Sequence, residues 1–279
     1  MHIATKYNTT TQHQIKVLTH RSFIKLSRDR KATVVATFRH VLVGLFYGSI
    51  YYQLSGGSTS SAYSNRSGIF FFSLLFMIIG HQQAIPTFLE ERLVFYRERG
   101  AKAYGAFPYW ISTWLLQIPL IVFNVFWYSL ICYYMVGLKD ESKAFGYFFV
   151  IMMMCSITGL FNAGFVSAIS ASTQIALSFF PVVMFFAVSF AGFLIYLPQF
   201  PPWLGNWAPY ISYMRYAMQG LTVNEFQSND DLPLGESYIH ELGYQHLNKV
   251  QCATIMIPFI LLYALMFLAA LKFIDFEER

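Results

Sequence analysis

Long apolar runs that alternate with short polar stretches dominate this sequence. A helix needs about 20 apolar residues to cross the hydrocarbon core of a bilayer, whereas a buried strand needs only about four to eight. The runs match the longer length, so the pattern predicts an all-α membrane protein with six transmembrane helices. We place the spans at about residues 32–54, 68–89, 107–136, 144–169, 174–197 and 250–274.

Prolines mark the irregular parts of this pattern. Pro108 and Pro119 are expected to kink the third span, and Pro258 the sixth. Between the last two spans, residues 198–249 begin with an apolar, proline-broken stretch that is rich in Trp and Tyr. Such backbone is tolerated at membrane depth only when it packs on protein, so we predict re-entrant or interfacial helices there, followed by a polar external loop.

Residues 90–110 form a charged island between the second and third spans. Wound as a helix, this stretch places on one face Leu93, Tyr96, Gly100, Ala103 and Tyr104, and on the other Glu91, Arg92, Glu98, Arg99 and Lys102. Phe95 lies among the charges. An exposed aromatic residue there fits a helix that lies on the membrane surface and contacts a soluble partner; a solvated helix without a partner fits the periodicity equally well.

The N-terminal part is first polar and then amphipathic. Residues 1–13 are polar and lack the apolar core of a signal peptide. In residues 14–30 an apolar stripe stands opposite Arg21, Lys25 and Arg28. This pattern is typical of an interfacial helix on the cytoplasmic leaflet, beside anionic headgroups.

Composition agrees with membrane insertion and excludes other classes. The 279 residues are 56% hydrophobic and 12% charged, whereas soluble domains carry roughly 25% charged residues. The net charge of +5 does not indicate nucleic-acid binding, because the basic residues stand at the N-terminus and at span ends. Fourteen of the 19 Lys and Arg residues fall on the side of the N-terminus and the charged island, so both termini are expected in the cytosol.

No catalytic site or metal site is predicted. LSGGS at residues 54–58 looks like the signature of ABC ATPases, but it directly follows a span and no GxxxxGK[ST] phosphate loop accompanies it, so a Gly/Ser turn explains it. The aqueous faces carry no Ser/His/Asp, Cys/His or metal-spaced constellation. The spans contain no Asp or Glu, which disfavours a proton-coupled carrier.

Polar side chains interrupt two of the spans. We expect Arg39 in the first span to snorkel to the inner interface; a pair with His40 that faces the bundle interior is the alternative. His81, Gln82 and Gln83, at the end of the second span, suggest a network of interhelical hydrogen bonds and are too isolated for a metal site.

Several motifs in a fixed order carry a resemblance to a known family. They are NRSGIFFF, FLEERLVFYRERGAKAYGAFPYWIS, QIPL, YYMVGLKD, SFAGFLI and YISYMRYAMQGLTVNEF. Over about residues 12–279 the chain resembles the membrane domain of the G subfamily of ABC exporters, and within it most of all the pleiotropic-drug-resistance branch.

The resemblance implies partners. In this family ATP and magnesium bind to a nucleotide-binding domain, which this sequence does not contain and which would act in cis or in trans. Residues 90–104 match the coupling helix that contacts that domain, and residues 14–30 match the connecting helix beside it. The coupling residues would be Glu91, Phe95, Arg97, Glu98 and Arg99. A second membrane domain, identical or different, would complete a dimer, by analogy in the plasma membrane.

The resemblance also implies a substrate pathway. Phe76, Ile79, Phe185 and Val188 match positions that face a central cavity, and Phe193 and Leu194 match an apolar plug below the exit. Ordinary packing or lipid contact is the alternative role for each of them. The substrates would be hydrophobic or amphipathic small molecules or lipids. A membrane scaffold or regulatory subunit that docks a cytoplasmic partner without transport is the alternative function.

Overall fold

The protein is built from helices alone in the part that the computed structural model describes, residues 7, 9–28, 30–54 and 56–276. The α-helices are α1 Thr11–Arg28, α2 Arg30–Ile50, α3 Ser60–Ile79, α4 Ile85–Gly100, α5 Ala106–Leu115, α6 Gln117–Val136, α7 Ser142–Ile169, α8 Thr173–Ser189, α9 Pro202–Gly205, α10 Tyr213–Phe226, α11 Gly235–Glu241 and α12 Lys249–Phe273. Short 3₁₀ turns occur at Gly80–Ala84, Leu197–Gln199 and Ala208–Ile211. The predicted all-α fold is confirmed; residues 1–6 and 8 of the polar N-terminal segment lie outside the described part.

Five helical stretches in this part of the chain are long and apolar enough to cross a membrane. They are α2, α3 continued into α4, α5 continued into α6, α7 and α12. α8 is also apolar but has 17 residues, close to the lower limit for a spanning helix. The chain is therefore a multi-pass membrane protein.

Helix limits match the predicted spans within two residues at α7 and α12 and differ elsewhere. α3 begins at Ser60, before the predicted second span, because its polar first turns pack against protein and so carry no hydropathy signal. The third span is broken at Leu116 into α5 and α6. α8 ends at Ser189, and the chain then continues in turns through the end of the predicted fifth span.

α7 is the central helix of the bundle. Over its most apolar 18 residues α7 is 61% buried, whereas α2, at the edge of the bundle, is 17% buried. It contacts α3, α4, α6, α8, α10 and α12, whereas α2 packs mainly on α6. Gly159 on α7 allows α3 to approach closely, since a Cβ at this position would stand 3.0 Å from the carbonyl oxygen of Ile78.

One end of the bundle carries a cap, which consists of α9, α10, α11 and the two 3₁₀ turns that precede α10. α10 is buried along its whole length and contacts α3, α7, α8 and α12, so this proline-rich segment packs on protein. A buried ion pair ties the cap to the bundle: Arg66 Nε on α3 lies 3.1 Å from Glu225 Oε1 on α10, with side chains 4% and 2% exposed. The Lys139 backbone N–H donates to the other carboxylate oxygen at 3.0 Å.

The opposite end of the bundle has a second apolar core. α1 packs along α5, and side chains from α1, α4, α5, α7 and α12 meet there. Leu18, Phe95, Tyr109 and Phe267 are among its members. Because α4 contributes Phe95 and Tyr96 to this core, the charged island is part of a packed structure and not a free surface helix.

Candidate functional site

A cavity of about 530 Å³ lies between α2, α3 and α8, near the end of α3. Its lining is mostly apolar or aromatic, with a few amides and one charge. The residues are Arg39, Tyr47, Leu75, Phe76, Ile79, Gly80, Gln82, Gln83, Pro86 and Leu177. Cavities of this size, apolar with a few convergent polar groups, are typical of small-molecule sites.

The structure places two of the four predicted cavity residues in this wall. Phe76 and Ile79 lie one turn apart on α3 and both line the cavity. Phe185 and Val188 lie further along α8 and do not line it. Phe185 is 68% exposed, while Val188 packs against the main core.

Arg39 faces the bundle and not the membrane interface, contrary to the snorkelling that we expected. Its Nη1 donates to the carbonyl oxygen of Gly80 at 3.2 Å, and its guanidinium carbon lies 5.7 Å from the ring centroid of Phe76. The neighbouring His40 is buried, and its ring meets the same Phe76 ring edge-on, at 5.2 Å between centroids. The alternative prediction, a polar pair directed into the bundle, describes this geometry.

The three predicted network residues separate into different roles. His81 Nε2 lies 2.8 Å from Ser156 Oγ on α7, and Gln82 Nε2 donates to the Leu177 carbonyl oxygen on α8 at 3.2 Å. Gln83 is exposed and lines the cavity. Two hydrogen bonds therefore leave the 3₁₀ turn that follows α3, one to α7 and one to α8.

The predicted exit plug lies next to the cap. Phe193 stacks on Phe71 of α3, with ring centroids 4.6 Å apart, while Leu194 is 60% exposed. The backbone turns sharply before them at Gly192, whose φ is +84°. The Tyr244 hydroxyl fixes this turn by donating to the Ala191 carbonyl oxygen at 2.6 Å.

Phe95 is buried, and the prediction that it stands exposed as a contact for a soluble partner is wrong. Its ring stacks on Tyr109 at 4.5 Å and neighbours Tyr104 at 6.1 Å. The helix ends at Gly100 and the chain turns back, so rings that are distant on a continuous helix cover Phe95. Periodicity within α4 could not reveal these partners, because they come from beyond its end.

Three charged residues of α4 bind to α1 and α12. Glu91 pairs with Lys25 at 2.6 Å and Glu98 with Arg21 at 2.8 Å, so both acids hold α1. Arg99 donates to the last carbonyl groups of α12, those of Leu271 and Lys272, at 3.1 Å each. Arg97 is exposed.

Arg92 is a residue whose role the sequence did not reveal. We placed it on the charged, outward face, but it is 4% exposed. Its Nη1 lies 2.7, 3.2 and 2.8 Å from the carbonyl oxygens of Ser167, Ala168 and Ser170, at the C-terminal end of α7. The available signal was its spacing, four residues before Tyr96 and three before Phe95, which puts it on the buried side.

Tyr104, in the turn between α4 and α5, adds a hydrogen bond to the ion pair of Arg21 and Glu98. Its hydroxyl donates to the Glu98 carboxylate. Burial and this hydrogen bond raise the pKa of Tyr104, which keeps the phenol protonated as a donor. Burial alone lowers the pKa of the Arg21 guanidinium, but its hydrogen bonds to Glu98 and Tyr104 outweigh that and raise the pKa.

Comparison of the sequence with protein families gives one match that covers most of the chain. Residues 13–226 match the ABC-2 type transporter family. The chain belongs to this family. The matched stretch begins in α1 and ends with the last residue of α10, so this ABC-2 membrane domain includes the cavity, α4 and the ion pair of the cap.

Curated relatives of the ABC-2 domain are G-family ABC transporters. The chain is 29% identical over 220 residues to ABC transporter G family member 2 of Dictyostelium discoideum, covering 79% of this chain and 16% of the relative. It is 28% identical over 228 residues to the broad substrate specificity ATP-binding cassette transporter ABCG2 of Rattus norvegicus, covering 81% and 34%. It is 25% identical over 294 residues to ABC transporter G family member 42 of Oryza sativa subsp. japonica, covering 100% and 19%. The chain thus spans between 16% and 34% of the length of these relatives.

Proposed function

We propose that this ABC-2 domain is the translocation domain of an ATP-driven exporter of hydrophobic or amphipathic compounds or lipids. The observation that carries the proposal is the cavity of about 530 Å³ at Phe76 and Ile79. Aromatic and apolar walls hold a ligand by buried area, and a few polar groups orient it. Family membership and the similarity to G-family relatives support the same function.

The energy would come from a nucleotide-binding domain, in cis or in trans, that holds ATP and magnesium. We propose that it contacts the end of the molecule where α1 and α4 lie side by side, with Arg97 as the exposed contact. Glu91, Glu98 and Arg99, together with the buried Phe95, would pass the movement on, since α4 bonds directly to α1 and α12 and, through Arg92, to α7. These bonds favour rigid-body rocking of the helices over bending of α4 alone.

A second membrane domain, identical or related, would complete the pathway. α8 carries an exposed apolar row, which consists of Ile175, Phe179, Val182, Phe185 and Phe186. We propose that this row and Ile79 face the partner domain across a shared central cavity, with Val188 at its edge and Phe193 and Leu194 closing the exit. The positive-inside bias supports cytoplasmic termini and an external cap, and the family relationship supports the plasma membrane.

The test is ATP-dependent uptake into inside-out vesicles that contain the domain together with its ATPase. Phe76→Ala and Phe185→Ala are expected to change the uptake of compounds from a hydrophobic panel. Phe123→Ala removes an exposed phenylalanine of α6 outside the cavity and should leave uptake unchanged. ATP hydrolysis without movement of any compound or lipid would contradict export and favour a docking subunit without transport.

A further inference from the structure

Arg39 is the only charged residue among those that line the cavity. It occupies the tenth position of the 21-residue α2, a helix long and apolar enough to cross a membrane, and its guanidinium donates to Gly80 inside the bundle. An arginine within a membrane-spanning helix is costly unless it has a partner, and such residues usually face a functional pathway.

The guanidinium of Arg39 has hydrogen-bonding capacity that the protein does not use. Its Nη1 donates to the Gly80 carbonyl oxygen, while its Nε is buried without a hydrogen-bond partner. None of the four ion pairs found among the described residues includes Arg39. Arginine has five N–H donors in a planar fork, and this geometry suits two oxygens of an anion at once.

The neighbours of Arg39 provide space for an apolar body beside an anionic group. The ring of Phe76 lies next to the guanidinium, and Tyr47, Leu75 and Leu177 continue the apolar wall. Gly80 lets the guanidinium lie against the backbone at the edge of the cavity, since a Cβ there would stand 3.2 Å from Arg39 Nη2. The charge of Arg39 and the apolar wall are thus adjacent, so that one ligand can contact both.

We propose that the cavity selects amphipathic anions, with the apolar body against Phe76 and a sulfonate, sulfate, phosphate or carboxylate group on Arg39. This inference rests on the proposed function, of which it names the substrate class. An anion receives charge-assisted hydrogen bonds from the guanidinium, whereas a neutral compound of the same shape leaves that charge without a partner. The cavity therefore binds the anion more tightly than the neutral compound.

Two fluorescent probes with the same aromatic body test the proposal. 8-Anilinonaphthalene-1-sulfonate carries a sulfonate, and N-phenyl-1-naphthylamine lacks it. Each is titrated into the protein in nanodiscs of zwitterionic lipid, and the signal of empty nanodiscs is subtracted. Arg39→Gln is expected to weaken sulfonate binding about tenfold or more, with little change for the neutral probe. Arg39→Lys keeps the charge and should retain the preference for the anion.

The matched control is Lys143→Gln, which removes an equal charge at an exposed position away from the cavity and should change neither affinity. In the wild-type protein, sulfonate binding should weaken as ionic strength rises, while neutral binding should not; this measurement does not depend on the folding of any variant. Equal losses of both probes in Arg39→Gln, or no loss of either, would overturn the proposal. So would wild-type affinities that are equal for the two probes and insensitive to salt.

The same probes separate this inference from the proposed function. Sulfonate binding through Arg39 without ATP-dependent uptake of either probe would leave the anion site standing and contradict export. Export of the neutral probe by a cavity that binds both probes equally would support export and contradict the anion site. Complete displacement of the sulfonate by phosphatidylglycerol added to the nanodiscs, with no uptake of the sulfonate, would assign Arg39 to a bound lipid and overturn the substrate assignment.

Discussion

Two arginines of α4 bring positive charge to the C-terminal ends of other helices. The last carbonyl groups of a helix lack intrahelical partners and carry a partial negative charge, so a cation there is stabilising. Arg92 serves α7 in this way, and Arg99 serves α12. A residue on a neighbouring helix thus does what a capping residue of the same helix usually does.

Arg92→Met is expected to destabilise the protein by about 2–4 kcal/mol, because hydrogen bonds to a charged group are lost and buried carbonyl groups remain without a donor. Thermal unfolding of the purified protein in detergent measures this. Arg97→Met, at an exposed position of the same helix, should stay within about 0.5 kcal/mol of the wild type. Equal effects of the two substitutions would show that the carbonyl contacts of Arg92 contribute nothing.

Phe95 and Leu93 allow a second comparison on the same helix. Phe95 is fully buried, while Leu93 is 59% exposed. Phe95→Ala should destabilise the protein by about 3–5 kcal/mol, since it removes a ring from a packed aromatic cluster. Leu93→Ala should have little effect on unfolding. If Phe95→Ala left stability unchanged and reduced only ATPase stimulation, Phe95 would act on the partner domain after all.

At the scale of elements, the sequence predicted what depends on apolar length and missed what depends on contacts from distant parts. α7 and α12 follow from hydropathy because their apolar runs are continuous. The early start of α3 does not follow from hydropathy, because residues of its first turns such as Ser67 are polar yet buried against protein. In the candidate site, the positions of Phe76 and Ile79 followed from the family resemblance, whereas the direction of Arg39 depends on the carbonyl group of Gly80, which no local pattern reveals.

Two glycines of α7 should respond to alanine with opposite sign. At Gly146 nothing lies within 4 Å of an added Cβ, so Gly146→Ala should stabilise the helix by roughly 0.5–1 kcal/mol. At Gly159 an added Cβ would meet backbone atoms of Ile78 at 3.0 and 3.2 Å, and Gly159→Ala should destabilise by about 1–3 kcal/mol through overpacking between α3 and α7. Unfolding in detergent measures both. Stabilisation by Gly159→Ala would show that the two helices can separate at little cost.

For the whole molecule, the cap and the bundle depend on one another through the buried ion pair. Removing one partner of such a pair leaves a buried charge and costs about 3–5 kcal/mol, while replacing both is much less harmful. We therefore expect Arg66→Met and Glu225→Gln each to destabilise strongly and the double variant to recover part of the loss. A double-mutant cycle on the unfolding free energy measures this coupling.

The exposed pair of Lys25 and Glu91 is the control for this cycle. Its side chains are 57% and 31% exposed, so its coupling should be about 0–1 kcal/mol after solvent screening. Simple additivity in the Arg66 and Glu225 cycle would show that the cap is held by apolar packing alone.

The separation of Arg66 and Glu225 along the chain also has a consequence during synthesis. Arg66 and Glu225 are 159 residues apart, so a ribosome that adds about 5–20 residues per second makes Glu225 roughly 10–30 s after Arg66. During that interval six later helices, α4 to α9, are made before the counter-charge. The order of synthesis therefore produces an unfinished form in which Arg66 is present and Glu225 is not, and cellular quality control can act on that form.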